Sequence, residues 1–209
     1  MTLFYFIRHA QSDCNKNSSH LVGGRASQTP LSPEGIIQAQ MLGYRLKREG
    51  VRFDNWIASS AVRAIHTAQI VMEIVDPTAR LIIEETIEEI SQGDWEGRLR
   101  TECYTEEAYA QIAADNWNFK APNGESQREV ETRMMAFTNK WIENSTDATN
   151  AVFTHGIAIK CLMRGIYDWN KKMTFPTDMH NTSMTVVEYK NNGWRVDRMN
   201  DHAHILSVA

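Results

Sequence analysis

The sequence contains little cysteine, and its thiols are not spaced to bind a metal or to build a disulfide framework. The cysteines among the 209 residues are Cys14, Cys103 and Cys161, and no pair shows the CxxC spacing of a zinc site. An odd number of widely separated thiols is typical of a protein whose cysteines stay reduced, which favours the cytoplasm. We therefore predict no metal site and assign none of these thiols as a nucleophile.

Long apolar runs and an excess of basic residues are missing too. The chain opens MTLFYFIRHAQ, where Arg8 and His9 end the apolar run before it reaches the length of a signal-peptide core. No segment approaches the roughly 18 apolar residues of a membrane span. The formal net charge is −4, from 22 Lys+Arg against 26 Asp+Glu. We therefore expect no membrane and no nucleic-acid partner, although a local arginine cluster can still bind a small anion.

The remaining composition is that of one ordinary globular core. Hydrophobic residues make up 42% and charged residues 23% of the chain, as in soluble domains. A length of 209 residues fits one domain better than two, and the sequence shows neither an internal repeat nor a linker. We predict a single domain over residues 1–209, and the sequence leaves its oligomeric state open.

Short apolar runs alternate with segments of helical periodicity along the chain. The predicted strands are residues 3–8, 55–59, 80–84, 150–154, 183–189 and 194–199. The predicted helices are a segment that starts at Ser32-Pro33 and ends at Gly50, and residues 61–75, 102–116, 126–143 and 156–166. A turn at Asn192-Gly193 joins the last two strands, and residues 85–100 are predicted as a loop. This alternation predicts an α/β fold, a three-layer sandwich whose mostly parallel sheet has helices on both faces.

Two histidines lie where predicted strands end. Arg8 and His9 follow the first strand, and His155 follows the strand at 150–154; ligands of doubly wound sheets bind outside such carboxyl ends. Arg63 lies in the first turn of the helix after the second strand, where backbone N–H groups also favour an anion. Neutral imidazole is a nucleophile near pH 7, and arginine offers phosphate a planar fork of donors. Each residue alone is more often structural, but together they indicate phosphoryl transfer.

Six segments, in chain order, resemble the motifs of the histidine phosphatase superfamily, in its phosphoglycerate-mutase-like branch. They are FIRHAQSDCN, TPLSPEGIIQAQMLG, IASSAVRAIHTAQI, EEISQGDWEG, PNGES and VFTHGIAIK. In turn they match the RHG signature, the PLT-x-x-G-x-x-QA, SSxxxRAxxTA, E-x-x-x-G-x-WEG and PxGES segments, and the second-histidine motif. The resemblance covers about residues 3–190 and implies the phosphoglycerate mutase-like fold.

The resemblance implies a role for each matching residue. His9 corresponds to the nucleophile that becomes phosphohistidine, while Arg8, Arg63 and His155 correspond to the phosphate pocket. Glu89 corresponds to the general acid, which protonates the leaving oxygen and then activates water. The resemblance implies neither a metal nor a cofactor, because arginines and histidines supply the positive charge.

Asn15 matches the asparagine that closes the first signature, and we expect it to donate to the same phosphate. Two neighbouring positions depart from the family pattern, since Ala10 replaces the usual glycine and Gln11 the usual glutamate. Ala10 requires an allowed backbone conformation at this position, and Gln11 removes one negative charge. We interpret both as tolerated variation that bears on the substrate rather than on the type of reaction.

Three functions remain open at this point. The leading interpretation is a phosphatase of a small phosphorylated metabolite, of the sugar phosphate or phosphoglycerate class. Arg25, Arg98 and Arg100 are its candidate substrate contacts, although any of them could equally be surface charge. The second is a cofactor-dependent phosphoglycerate mutase, which is disfavoured because the segment EEISQGDWEG that carries Glu89, here called the acid loop, lacks the N-E-R-x-Y-G form. The third is a non-catalytic or regulatory module that binds a phosphorylated ligand, and hydrolysis of a generic aryl phosphate would separate it from the first.

Overall fold

One mixed sheet of six strands runs through the protein, whose computed structural model describes residues 1–16, 20–25, 28–145 and 147–206. The strands are β1 (Thr2–Arg8), β2 (Asn55–Ala58), β3 (Leu81–Ile83), β4 (Thr149–Thr154), β5 (Met184–Lys190) and β6 (Gly193–Asp201). Their order across the sheet is β3-β2-β4-β1-β5-β6. Strands β1 to β4 run parallel, whereas β5 is antiparallel to β1 and forms a hairpin with β6. The predicted mostly parallel α/β sheet is confirmed.

The helices lie between the strands and after the last of them. They are α1 (Asp13–Lys16), α2 (Pro33–Glu49), α3 (Val62–Val75), α4 (Arg100–Cys103), α5 (Glu106–Ala114), α6 (Gln127–Asn144), α7 (Gly156–Tyr167) and α8 (Ala203–Leu206). Single 3₁₀ turns cover Glu85–Ile87, Gly93–Trp95 and Lys171–Met173. No helix in the described ranges is long and apolar enough to cross a membrane.

Alternating side chains of β1 build two apolar layers, one on each face of the sheet. Phe4 and Phe6 belong to a buried cluster that includes residues of α6 and α7. Tyr5 and Ile7 belong to a second cluster, which includes residues of α2 and α3. Because successive side chains of a strand point to opposite faces, this division confirms the three-layer sandwich.

Helix α2 begins and ends as its sequence predicts. The Ser32 hydroxyl accepts the backbone N–H of Gly35 at 3.0 Å, and proline occupies the first turn. Gly50 ends the helix with a φ of 67°, in the left-handed region. The backbone N–H of Ser32 also donates to the Gln11 carbonyl at 3.0 Å, which holds the start of α2 beside the loop that comes after β1.

The prediction of one helix over 102–116 was wrong. A break divides this segment into α4 and α5, because Thr105 caps a new helix and its hydroxyl accepts the N–H of Ala108 at 3.3 Å. The loop predicted over 85–100 is largely irregular but contains the first two 3₁₀ turns. Strand β3 is also shorter than the predicted 80–84.

The hairpin turn lies one residue earlier than predicted. Lys190 pairs with Gly193 in the β5–β6 ladder, so Asn191 and Asn192 form the two-residue loop. Their φ values are 52° and 60°, as a type I′ turn requires, and asparagine tolerates this region better than most residues. Helices α1 and α8, one turn each, carry too little periodicity to be predicted from the sequence.

Candidate active site

The carboxyl ends of β1 and β4 meet at one edge of the sheet and bring two histidines together. Arg8 lies opposite Thr154 in the parallel register, and His9 donates its backbone N–H to the Thr154 carbonyl at 2.9 Å. His155 comes directly after Thr154, and the centroids of the two imidazole rings lie 5.1 Å apart. Neighbouring strands therefore place side by side two residues that are distant in the sequence.

Arg63 joins the two imidazoles. Its Nε donates to Nε2 of His9 at 3.2 Å, and its Nη2 donates to Nδ1 of His155 at 3.2 Å and to the Gly24 carbonyl at 3.0 Å. The exposed fractions of Arg63, His9 and His155 are 4%, 3% and 0%. One buried cation thus contacts both histidines. The sequence predicted that the two histidines share an edge of the sheet, but it did not predict this direct contact with Arg63.

These contacts fix which nitrogen of each imidazole carries the proton. A guanidinium can only donate, so Nε2 of His9 and Nδ1 of His155 are acceptors. The other nitrogens therefore carry the protons: Nδ1 of His9 donates to the Ala10 carbonyl at 2.7 Å, and Nε2 of His155 donates to the Ser59 hydroxyl at 2.8 Å. Ser59 belongs to the segment that contains Arg63, but no pattern in the sequence pointed to this role.

Burial and neighbouring cations keep both imidazoles neutral. Burial lowers the pKa of His9 well below its ordinary 6.5, and Arg63 and Arg8 lower it further, while the hydrogen bond to Ala10 opposes them. Burial is also the largest cause of the lowered pKa of His155, and Arg63 is the second. The lone pair on Nε2 of His9 is therefore present near neutral pH, as a nucleophile requires.

Arg8 carries a buried donor that has no acceptor. Its Nη1 donates to the Met179 carbonyl at 2.5 Å, whereas its Nε has no hydrogen-bond partner in the described part of the chain. The side chain lies against Gly156 at the start of α7, where a Cβ would come within 3.5 Å of Nε. Burial and Arg63 lower the pKa of Arg8, and Glu89 raises it. A buried N–H without a partner is costly, and an oxyanion would satisfy it.

The Glu89 carboxylate lies at the start of α7. Its Oε1 accepts the N–H groups of Ile90 and Ala158 at 3.0 and 3.2 Å, and its Oε2 accepts the N–H of Ile157 at 3.2 Å. The positive end of the helix dipole favours a carboxylate at this place. Because His155 immediately precedes α7, the same turn of chain holds the carboxylate and the second histidine.

The neighbouring Glu88 has different partners. Its Oε1 accepts a hydrogen bond from the Ser60 hydroxyl, and its Oε2 pairs with Nε of Arg25 at 3.3 Å. Of these two carboxylates, Glu89 is the one that contacts the helix after His155.

Comparison with known proteins identifies the family. The histidine phosphatase superfamily (branch 1) matches residues 4–202. The chain belongs to this superfamily. A protein of Proteus mirabilis named "Probable phosphoglycerate mutase GpmB" is 27% identical over 216 aligned residues, which cover 100% of this chain and 97% of that protein.

Solved structures of histidine phosphatase-like proteins share the fold. Bacillus stearothermophilus YhfR is 27% identical, with a TM-score of 0.86 over 98% of this chain and 100% of that chain. The alpha-ribazole phosphatase of Shigella flexneri is 25% identical, with a TM-score of 0.81 over 96% of each chain. The predicted family and its phosphoglycerate mutase-like fold are confirmed.

Asn15 of this histidine phosphatase-superfamily chain is linked to the backbone of His9 through Asn181. Oδ1 of Asn15 accepts hydrogen bonds from the N–H and hydroxyl of Ser12 at 3.0 and 3.1 Å. Asn181 connects the two segments, since its Nδ2 donates to the His9 carbonyl at 2.9 Å and lies 3.4 Å from Oδ1 of Asn15. Asn181 is not among the site residues predicted from the sequence. The expected contact between Asn15 and phosphate stays a prediction.

The three arginines predicted to contact substrate lie in different surroundings. Arg25 lies beside the acid loop and donates from Nε to the Glu89 carbonyl at 3.1 Å, but its Nη2 is paired with Glu125. Arg98 is exposed and lies 3.5 Å from Glu102. The Arg100 guanidinium lies over the Tyr104 ring, 4.4 Å from its centroid. Arg100 also lines a cavity next to the acid loop. Arg100 therefore stays a candidate substrate contact, whereas the position of Arg98 gives it no support.

The two departures from the family signature fit without strain. Ala10 is buried and keeps a negative φ, so the methyl group of alanine meets no conformational penalty. Its N–H donates to the Thr67 hydroxyl at 3.0 Å. Gln11 accepts the Ser32 hydroxyl at 2.8 Å and so ties this loop to the start of α2.

Proposed function

We propose that this protein is a metal-independent phosphatase that hydrolyses the monoester of a small phosphorylated metabolite through a phosphohistidine on His9. The observation that carries the proposal is the position of Arg63, which donates to Nε2 of His9 and to His155 at once. A phosphate bound to this guanidinium would lie beside Nε2 of His9, whose lone pair carries no proton.

The first half-reaction transfers the phosphoryl group to His9. The phosphate oxygens replace the imidazoles as acceptors for Arg63 and take the unpaired Nε donor of Arg8. Nε2 of His9 then attacks phosphorus, the bond between phosphorus and the alcohol oxygen breaks, and Glu89 gives its proton to that oxygen.

The second half-reaction hydrolyses the phosphohistidine. The Glu89 carboxylate, now ionised, takes a proton from water, and the water oxygen attacks phosphorus. The bond between phosphorus and Nε2 breaks, its electron pair returns to His9, and inorganic phosphate leaves. The buried arginines stabilise the equatorial oxygens in both steps.

Small phosphate esters remain the proposed partners. The sequence predicts sugar phosphates or phosphoglycerates, and the similar Shigella flexneri protein is named as a phosphatase of alpha-ribazole. We also propose a cytoplasmic location, supported by Cys103 and Cys161, which are buried and not joined in a disulfide. Burial raises the pKa of the Cys161 thiol, which keeps it uncharged and unreactive.

A phosphoglycerate mutase is the second candidate, because the Proteus mirabilis relative bears that name. The two functions differ in the fate of the phosphoryl group, which a mutase returns to the substrate skeleton and a phosphatase gives to water. Incubation with 3-phosphoglycerate, with separate detection of 2-phosphoglycerate and inorganic phosphate, distinguishes them. We expect phosphate release to dominate.

Replacement of His9 tests the proposed function. We expect His9→Ala to abolish hydrolysis of para-nitrophenyl phosphate and to abolish labelling by a ³²P-phosphate ester, while the unmodified protein gives a label that is acid-labile and stable to alkali. His66→Ala is the matched control, because His66 is exposed on α3. Normal turnover by His9→Ala would refute the nucleophile assignment, and no turnover by the unmodified protein would favour the non-catalytic module.

A further inference from the structure

A cavity of about 290 Å³ adjoins the loop that carries Glu89, since Ile90 and Gln92 of that loop line it. Ile90 and Ile157 line it, and the backbone N–H groups of both residues donate to the Glu89 carboxylate, at 3.0 and 3.2 Å. The group that Glu89 protonates is the oxygen of the leaving alcohol. The cavity therefore adjoins the residues that hold the Glu89 carboxylate, and a leaving alcohol that extends past Ile90 and Ile157 would enter it.

The cavity walls are mainly aromatic and aliphatic. Tyr109 and Phe175 line it while 57% and 56% exposed, and exposed aromatic side chains grouped around a cavity are typical of a binding site. Its two charged lining residues already have partners: Arg100 lies over the Tyr104 ring at 4.4 Å, and Glu125 pairs with Arg133 at 2.8 Å. A small, strongly polar alcohol would gain little from these walls.

Gln127 supplies a polar group to the same cavity. It is 3% exposed, and its Nε2 donates to the carbonyl of Asn116, a second lining residue, at 3.0 Å. That bond fixes which end of the amide is oxygen, and no donor reaches Oε1 from the residues that the structure describes. A buried acceptor without a partner is unusual. The atom has almost no accessible surface, so a donor on a bound molecule would satisfy it after a small shift of the amide side chain.

We propose that this cavity is the leaving-group subsite, and that it selects monoesters whose alcohol carries a flat apolar ring with one N–H or O–H donor. This proposal rests on the proposed function and names its substrate class. The size agrees, because a cavity of about 150 Å³ holds benzene, so this one has room for a ring and a short tether. A ring-bearing sugar phosphate fits this class, whereas phosphoglycerate does not.

The test compares alkyl phosphates whose leaving oxygens have similar chemical reactivity. Differences in kcat/KM among them then report how well the enzyme binds the rest of the alcohol. We expect kcat/KM for 2-phenylethyl phosphate to exceed that for ethyl phosphate by about 10- to 100-fold, the value of burying one phenyl group. Equal values for the two esters would overturn the subsite.

A second comparison tests Gln127. Among the three 2-(hydroxyphenyl)ethyl phosphates, at least one isomer should exceed 2-phenylethyl phosphate by about tenfold, as expected for one satisfied hydrogen bond. Gln127→Leu should remove this gain, while Gln111→Leu, on the exposed surface of α5, should retain it. A gain that survives Gln127→Leu, or no gain with any isomer, would refute the role of Gln127.

The experiment also separates failure of the subsite from failure of the proposed function. Hydrolysis of para-nitrophenyl phosphate that depends on His9, without a preference among the alkyl esters, would refute the subsite alone. If no ester is hydrolysed, calorimetry with 2-phenylethylphosphonate and ethylphosphonate still tests the cavity by binding. Tighter binding of the phenyl compound supports the subsite, and equal binding refutes it.

Discussion

Replacement of Glu89 by glutamine tests the general acid and the start of α7 in one variant. The carboxylate accepts three backbone N–H groups, from Ile90, Ile157 and Ala158. A glutamine amide has one carbonyl oxygen, which can keep the two bonds of Oε1. Its NH₂ group then faces the N–H of Ile157, and that donor loses its acceptor.

We expect a moderate loss of stability and a larger loss of activity. An unsatisfied buried donor costs about 1–3 kcal/mol, and the lost negative charge at the helix N-terminus adds about 0.3–1 kcal/mol. In a chain of 209 residues, each 1 kcal/mol lowers Tm by about 2–4 °C, so we expect Glu89→Gln to melt roughly 3–16 °C below the unmodified protein. Loss of the proton donor should slow hydrolysis of an alkyl phosphate by about 10²- to 10⁴-fold.

The assay compares leaving groups in a single turnover, before water attacks the phosphoenzyme. The single-turnover rate should fall less for an aryl phosphate than for an alkyl phosphate, because the leaving oxygen of an aryl phosphate needs little protonation. Glu88→Gln is the matched control, since Glu88 contacts Ser60 and Arg25 instead of α7, and it should leave the ratio of the two rates unchanged. Equal losses for both substrates in Glu89→Gln would refute the acid role, and a selective alkyl loss in Glu88→Gln would transfer the role to Glu88.

Three further measurements test other parts of the site. Arg63→Lys should lower kcat/KM by about 10³-fold, because one ammonium cannot span both imidazoles; unchanged steady-state kinetics would contradict the shared phosphate site. The lowered pKa values of His9 and His155 mean that the unfolded chain, with pKa values near 6.5, binds their protons more readily. The stability they contribute is therefore complete above about pH 6.5 and falls below it by about 1.4 kcal/mol per histidine and pH unit; urea unfolding that is flat between about pH 6.5 and 5 would refute this. Gly35→Ala would place a Cβ 2.0 Å from a backbone oxygen in the loop after His9 and should lower Tm sharply, whereas Gly23→Ala, with nothing within 4 Å, should not.

The ends of the strands could be predicted from the sequence, and most of the candidate site residues lie at or near these ends. Apolar runs stop at Arg8 and at Thr154, and adjacent parallel strands bring His9 and His155 to one edge of the sheet. Arg63 could be placed because a helix starts directly after β2. Local signals of this kind suffice when a side chain acts next to the element that carries it.

Contacts between distant segments could not be predicted in the same way. The sequence alone does not show that Asn181 bonds the His9 carbonyl, because no local pattern marks it. The break before α5 was missed although Thr105 has the chemistry of a helix cap, since helical periodicity on both sides concealed it. The cavity beside Glu89 arises only when several elements pack together, so its apolar character does not appear in any one segment.

The proposed acid, Glu89, and the proposed leaving-group subsite share two residues. Two of the backbone N–H groups that hold its carboxylate belong to Ile90 and Ile157, whose side chains line the cavity. A ring bound in the cavity would therefore contact the same two residues that hold the carboxylate of the proposed proton donor. Binding energy from the ring can in this way improve the placement of the proton at the transition state, which raises kcat, whereas a contact remote from the acid would only lower KM. A ring-bearing ester should consequently differ from ethyl phosphate in single-turnover rate as well as in affinity, and a difference confined to affinity would show that the two roles of this segment are independent.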